Sequence, residues 1–593
     1  MILLCTGLAG IAQPTNSFFE FANAQAGRRY SQVPHQVLAF YYPWYGTPER
    51  HGHWVHWTKI NPDRHDIGSA RHYPVQGAYD SWDPAIVDWH IDLARTNGIT
   101  GFIASWWGQR TFEDGALPVI LERADKKDFK VSVYWETAPG KGSDQVGRAV
   151  NDLVYLLNRY GTNRAFLKVD GKPVIFVYGR VMGQIPLESW PAIITETRER
   201  AGDFLLIADG YEANYARLFD GVHTYNIAGA VAGKTATALR AFIAPEYSGD
   251  VHLARSRGRI SCVTVIPGYD DTKVRKPGFT ADRLGGLTYR VLWDEAIRAN
   301  PDWILVTTWN EWHEGSEIEP SFEEGMKYIS LTGEYAPRFR DSPPVAGSAP
   351  AGLTPESLRR LQHFYSGRTV GLLPGASEEV LFWLHCLGAN VRELNWSDLP
   401  DPSRFNARDL PLVLYAGGEH YTGTVGTPGD VKQALVRYLG AGGFLVFLPN
   451  EPWPFYYDDS QKGRPDPITA DFGLPVVMGP EQLAVRQTTF VINTNALPGF
   501  AVTAKASLAG DLRWRPCVPM QVPKGDFYLP LVQLRNAQGQ FDGDAAVYLE
   551  HKTPPLAPGR VIYVWMRLPD ALGVDAFFPS LFQFIATKVT WPE

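Results

Sequence analysis

A chain of 593 residues is too long for one ordinary domain and long enough for two large cores. Hydrophobic residues at 45% and charged residues at 20% give the balance of a globular protein, and a net charge of −7 without a basic run argues against a nucleic-acid binder. Cys5, Cys262, Cys386 and Cys517 are too scattered for a disulfide framework or a zinc site, so neither metal nor cofactor is expected. No later run reaches the ~20 apolar residues of a membrane span.

Met1 to Ala12 is apolar and about as long as a signal-peptide core, but it lacks a positively charged start. Residues 1–34 therefore read as an N-terminal tail or a partial export signal. Export is favoured, with a disordered cytoplasmic tail as the alternative. Between 35 and 340 come eight short runs, at 37–45, 99–107, 130–136, 172–179, 204–209, 221–227, 262–270 and 303–312. Most are continuously apolar, as expected for parallel strands buried on both faces. Helical spacing fills 83–97, 115–127, 144–160, 188–201 and 281–300; the first of these opens on Asp-Pro and stops at Gly98. Eight strands alternating with helices predict a (β/α)8 barrel. A doubly wound sheet explains the count less well, and no Gly-rich nucleotide fingerprint follows the first run.

Residues 341–366 open with the Pro-, Ala- and Gly-rich stretch DSPPVAGSAPAGLTPES and read as a linker. Beyond it, 367–593 carries strand-like runs at 369–373, 410–416, 444–448, 545–550 and 560–566, with helical runs at 378–388 and 430–440. This pattern resembles the flavodoxin-like, glutamine-amidotransferase-like α/β domains. A working amidotransferase carries a Cys on the turn after a central strand, where this chain has Pro449-Asn450-Glu451, so the domain is expected to be non-catalytic. Closing over the barrel, forming a homo-oligomer and binding glycan all remain open for it.

In a parallel-strand barrel the site forms at the strands' C-terminal ends. There this chain places Tyr41-Tyr42-Pro43-Trp44-Tyr45, Ser105-Trp106-Trp107, Tyr134-Trp135-Glu136, Asp209, Tyr269-Asp270-Asp271 and Trp309-Asn310-Glu311-Trp312-His313-Glu314. Flat aromatic faces beside paired carboxyls are what a carbohydrate cleft needs. Glu311 and Glu314, three residues apart at the eighth strand's end, can reach one substrate and differ in protonation if their environments differ. Two glutamates so spaced are ordinarily solvated loop acids; their place after TTWN favours chemistry. His51, His53, His56, His65 and His72 do not repeat a metal-ligand spacing. Glu317 and Glu319 are expected at the rim, Asp209 in polar packing, and Asp270 and Asp271 either on sugar hydroxyls or on Lys273 and Arg275.

Taken together, YYPWYG (41–46), HW (56–57), GITGFIASWWG (98–108), PGYDDTKVR (267–275) and TTWNEWHEGSEIEP (307–320) resemble glycoside hydrolase family 99. These are the endo-α-1,2-mannosidases and mannanases, and the resemblance spans roughly 35–335. It implies a metal-free, retaining barrel enzyme that cuts α-mannosidic bonds within an oligo- or polysaccharide. One glutamate deprotonates the sugar 2-hydroxyl, which closes onto C1 as a 1,2-anhydro sugar; a second protonates the leaving oxygen and then activates water. Carried over, Glu311 is the base and Glu314 the acid/base, with Glu136 and Tyr269 as the family's further active-site Glu and Tyr. Tyr42 and Trp106 match with an aromatic neighbour each, and His56-Trp57 matches a substrate loop. Trp44, Trp107, Asn310, Trp312 and His313 complete the expected sugar-binding set. The third strand ends in VYWE instead of the family's His-Ile-Glu-Pro type of segment, which leaves the subsite sugars open. The alternatives are a related enzyme on another α-linked bacterial surface polysaccharide, one associated with glycosyltransferases, and a non-catalytic carbohydrate binder.

Overall fold

The computed structural model describes residues 16–31, 33–343, 353–375, 377–417, 420–448, 456–457, 466–467, 469–476, 486–508, 516–565 and 568–591. The chain divides into two compact units, Met1–Gly347 and Ser348–Glu593.

In the first unit, eight strands form a closed parallel barrel: β1 (Gln36–Tyr41), β2 (Gly101–Trp106), β3 (Lys130–Trp135), β4 (Lys172–Val177), β5 (Leu205–Asp209), β6 (Gly221–His223), β7 (Ile260–Val265) and β8 (Trp303–Val306). Each pairs in parallel with its neighbours, and β1 pairs with β8 to close the ring. All six residues of β2 and of β7 are buried, which accounts for their unbroken apolar character. Inward-facing Leu38, Phe40, Ile103, Phe176, Ile207, Trp303 and Leu305 fill the interior. Phe40 packs 4.7 Å from the Tyr134 ring and 4.9 Å from the Tyr225 ring, forming a floor beneath the C-terminal face.

The helices between strands start where capping chemistry allows. Asp83 accepts from the Ala85 N–H with Pro84 as the first helical residue of α2 (Pro84–Thr96). Thr111 caps α3 (Phe112–Lys126) in the same way. The helices α4 (Gly142–Leu156), α5 (Trp190–Ala201) and α7 (Leu287–Ala299) fall where expected; α6 (Ala236–Arg255) was not expected, because Pro245 and Gly249 interrupt its periodicity. Of the expected helix at 281–300, the first residues instead belong to the ribbon Tyr269–Asp270 with Thr280–Ala281 and to a turn at Gly285 and Gly286, both with positive φ.

Part of the expected tail is built into this unit. Asn16–Ala26 is a helix, α1. Behind it Gln25, Arg28 and Tyr30 all reach the buried Asp220 carboxylate, at 3.0, 2.8 and 2.7 Å. An aspartate so deeply buried needs these partners, so residues 25–30 are pinned at the N-terminal end of β6. Residues 1–15, with the apolar start, lie outside the described residues.

In the second unit, the expected linker contains a helix, α8 (Pro355–Tyr365), capped by Thr354. The unit is built on a nine-stranded mixed sheet: β9 (Thr369–Leu372), β10 (Asn390–Glu393), β11 (Leu412–Tyr415), β12 (Phe444–Phe447), β13 (Arg486–Ile492), β14 (Thr503–Leu508), β15 (Phe527–Arg535), β16 (Phe541–Glu550) and β17 (Arg560–Val564). Its order is β10-β9-β11-β12-β17-β16-β15-β13-β14, parallel through β17 and antiparallel beyond. The sheet is thus mixed, and only its part from β10 to β17 runs parallel as in a flavodoxin-like domain. The run expected at 545–550 falls in the antiparallel β16, whereas β13, β14 and β15 were not expected, because apolar and polar residues mix along them and Pro530 sits inside β15, where the register shifts. The parallel β10 was not expected either, its residues Asn390–Glu393 being mostly polar. Pro449-Asn450-Glu451 lies outside the described residues. Cys262, Cys386 and Cys517 are buried thiols. No described helix is long and apolar enough to cross a membrane.

Candidate active site

The C-terminal strand ends enclose a cavity of about 490 Å³. Its centre is the turn after β8. The Glu311 N–H donates to Thr308 Oγ1 at 2.8 Å, and Trp309 N–H donates to the Phe40 carbonyl at 2.8 Å. Asn310 ties the turn to the end of β1, accepting from the Tyr42 N–H at 2.7 Å and donating to the Tyr42 carbonyl at 3.1 Å. Both Glu311 and Glu314 are thereby presented to the cavity. Gly315 follows with φ +56°, where a Cβ would come 3.0 Å from the Asp270 carbonyl, so the turn needs glycine twice over.

Glu311 is 2% exposed, and its carboxylate accepts from the His313 N–H at 3.1 Å. Burial drives its pKa well above the carboxylate range, and the charge of Glu314 adds to this. Burial raises Glu314 too, but Arg275 opposes it by donating to Oε1 at 3.0 Å. The two carboxyls titrate as a pair. A proton shared between them is drawn toward Glu311, since the guanidinium sits on Glu314. Glu136, at the end of β3, is pushed up to about 8 by burial, although it accepts from Ser105 Oγ at 2.7 Å and feels Arg180. Tyr269 receives a bond from Arg275 at 2.5 Å; burial raises its phenol, and the charge of Glu314 adds to this. Asp271 braces this group, accepting from Arg275 at 2.6 Å and from Tyr269 at 3.1 Å.

The aromatic walls sort into two layers. Trp44 and Trp107 line the cavity, and His56 stacks flat on Trp44 at 4.5 Å. Burial and the neighbouring His313 hold His56 down at about 4, and burial lowers His313, so both are neutral at pH 7. Tyr42 donates to the Tyr225 hydroxyl at 2.6 Å, and both line the cavity. Trp106, Trp57, Asn310 and Trp312 do not reach it. Trp106 is fully buried behind the wall with its indole N–H on Asp114 at 2.9 Å, so Trp107 occupies the exposed place. Trp57 stacks on Tyr45 at 3.9 Å and donates to the Tyr79 carbonyl at 2.7 Å. Trp312 and Asn310 both end on the Tyr79 hydroxyl, at 3.3 and 3.0 Å. These four build the wall from behind, and the expected His313 and Tyr269 likewise stand outside the lining residues.

Glu317 and Glu319, expected at the rim, are buried. Glu317 is paired with Arg283 at 2.6 Å and His72 at 2.7 Å, which hold it below the usual range. Glu319 accepts from Tyr79 at 2.8 Å and lies 3.0 Å from His90. Asp209 accepts from Gly179 N–H, Tyr225 N–H and Tyr134, which makes it polar packing. Asp270 pairs with Arg71 at 3.3 Å. His51 pairs with Asp80 and His65 stacks on Phe322. Sequence reasoning missed Thr111, Glu113, Tyr178, Arg180, Tyr225 and Arg275 as lining residues. Tyr178 and Tyr225 each lie just past a strand end, which was the available signal.

Residues 32–336, just over half of the chain, match the sequence profile of glycosyl hydrolase family 99. The chain belongs to this family. As a family 99 member it is a glycoside hydrolase, and its substrate is a carbohydrate. Among its relatives, the glycoprotein endo-alpha-1,2-mannosidase-like protein of Mus musculus is 27% identical over 53% of this chain and 78% of its own length. The glycoprotein endo-alpha-1,2-mannosidase of Xenopus laevis is 27% identical over 49% of this chain and 71% of its own. The solved family 99 endo-alpha-mannosidase of Bacteroides thetaiotaomicron is 26% identical, covers 51% of this chain and 97% of its own, and superimposes with a TM-score of 0.44.

Proposed function

We propose that this family 99 chain is a retaining hydrolase of α-mannosidic linkages that cuts within a glycan and passes through a 1,2-anhydro sugar. The observation that carries the reading is the coupled, buried pair Glu311 and Glu314 on one turn of the cavity, with a cation on only one of them. An axial 2-hydroxyl lies anti to an α leaving group, so the sugar's own oxygen is the nucleophile and the protein supplies proton transfers and positioning.

Glu311 takes the 2-hydroxyl proton as O2 bonds to C1, the bond from C1 to the leaving oxygen breaks, and Glu314 protonates that oxygen. Glu314 then takes a proton from water, whose oxygen bonds to C1 as the C1–O2 bond opens, and Glu311 returns its proton to O2. The roles require the proton to sit on Glu314 once substrate is bound. Binding must therefore loosen the Arg275 contact that draws it to Glu311. The elevated basicity of Glu311 suits proton abstraction from a sugar hydroxyl.

The test is hydrolysis of α-1,2-mannan oligosaccharides by wild type and Glu314→Gln, with anomers followed by NMR. α-Configured product from wild type and a rate at least ~10²-fold lower for the variant are expected. First-formed β-product, or an unaffected variant, rejects the mechanism, and untouched mannan rejects the mannoside assignment.

For the second unit we infer a flavodoxin-like, non-catalytic domain of the glutamine-amidotransferase type. The parallel order β10-β9-β11-β12, which is 2-1-3-4 in chain terms, supports it.

A further inference from the structure

Among the cations lining the cavity, Arg275 is committed to Glu314 and Asp271, whereas Arg180 has no carboxylate partner among the described residues. Arg180 follows β4 in the short helix Gly179–Gln184 and is exposed. Its guanidinium lies over the Trp107 ring, 4.8 Å from the centroid, and 5.7 Å from that of Tyr178. Trp107 is itself fixed, because its indole N–H donates to Ser105 Oγ at 3.1 Å and Ser105 donates to Glu136. A cation stacked on an anchored ring keeps its plane oriented while its N–H edge stays free for a ligand.

The rest of the cavity makes such a cation conspicuous. Glu113, Glu136, Glu311 and Glu314 line it, and burial raises all four. A neutral sugar is served by these carboxyls and the aromatic faces alone. An acidic sugar would be repelled by any of them that is ionised unless a guanidinium compensates, and the guanidinium fork matches carboxylate and phosphate oxygens two at a time. We propose that Arg180 and the face of Trp107 form a subsite for a sugar unit bearing an anionic substituent, a carboxylate or a phosphate ester, within the glycan cleaved at Glu311 and Glu314. This rests on the hydrolase reading and names its substrate class.

The test is calorimetric binding to the full-length Glu314→Gln chain of three α-mannosyl oligosaccharides of equal length. One is neutral, one ends in a uronic acid, and one ends in a 6-phosphate. At least one acidic glycan is expected to bind ten times tighter than the neutral one. That preference is expected to weaken with added salt, to shrink with Arg180→Lys and to vanish with Arg180→Gln. The two acidic arms tell carboxylate from phosphate. Equal binding of all three, or a preference that survives Arg180→Gln, overturns the proposal. So does an equal loss of neutral and acidic binding in Arg180→Gln, which would mean that Arg180 only steadies Glu136. Wild-type turnover of the same glycans separates the two readings: an Arg180-dependent preference without any cleavage upholds the subsite and counts against the hydrolase mechanism.

Discussion

Arg275 is the residue on which the proton inventory of the site turns. It touches Glu314, Tyr269 and Asp271 together, and it is the cation that opposes burial at Glu314. Removing it makes both ionisations of the coupled pair harder. Arg275→Met is therefore predicted to move the whole bell-shaped pH profile of kcat/KM toward higher pH; an unmoved profile or an acid shift contradicts the account. Glu136 gives a stability prediction with a defined sign. Its folded pKa of about 8 lies above its unfolded value, so the folded state holds the proton more tightly. Its contribution is fully present below roughly pH 4 and is lost as pH rises through about 8. Glu136→Gln removes that loss. Urea unfolding should show the variant gaining on wild type by on the order of a few kcal/mol between acid and alkaline pH, and a constant difference would mean that the carboxyl is not so perturbed.

At the scale of elements, the loop after β7 carries Arg275 into the cavity wall, with Tyr269 and Asp271 bonded to it. It is held by Asp271, by the ribbon Tyr269–Asp270 with Thr280–Ala281, and by Lys273 on Asp66 at 3.0 Å. The exposed Lys273 pair is worth little by itself, whereas Asp271 is buried and accepts three bonds. Asp271→Ala is predicted to lower kcat/KM about 10²-fold by letting Tyr269 and Arg275 drift, and full activity in that variant would show that the loop needs no brace. All eight barrel strands were legible because burial on both faces leaves an unbroken apolar signature. Their ends were not. The runs through Tyr45, Trp107 and Trp312 continue past the last paired residue, since a sugar-cavity wall is as aromatic as a strand is apolar. For the same reason the sequence marked Trp106 and Trp107 alike, and only packing separates the indole bonded to Asp114 from the one that faces the cavity. Glu317 and Glu319 were misplaced because their buried partners, Arg283, His72 and Tyr79, are distant in sequence.

At the scale of the whole molecule, each unit has its own sheet and core, so the chain is expected to unfold in two calorimetric steps. An α-mannosyl oligosaccharide added to Glu314→Gln at about 100 times its Kd should raise only the barrel's transition, by the equivalent of about 2.7 kcal/mol. A rise in both transitions would place part of the glycan site in the second unit. In that unit's sheet β9, β11, β12, β17 and the end of β16 were visible as apolar runs, whereas β13, β14 and β15, with mixed polarity, and the mostly polar β10 were not.

In the proposed mechanism the substrate's own 2-hydroxyl, activated by Glu311, attacks C1. Initial rates on an α-mannosyl oligosaccharide and on its analogue lacking the 2-hydroxyl at the cleaved unit test it most directly. Turnover of the first and none of the second is expected. Cleavage of the 2-deoxy analogue at a comparable rate would contradict it and require a nucleophile from the protein.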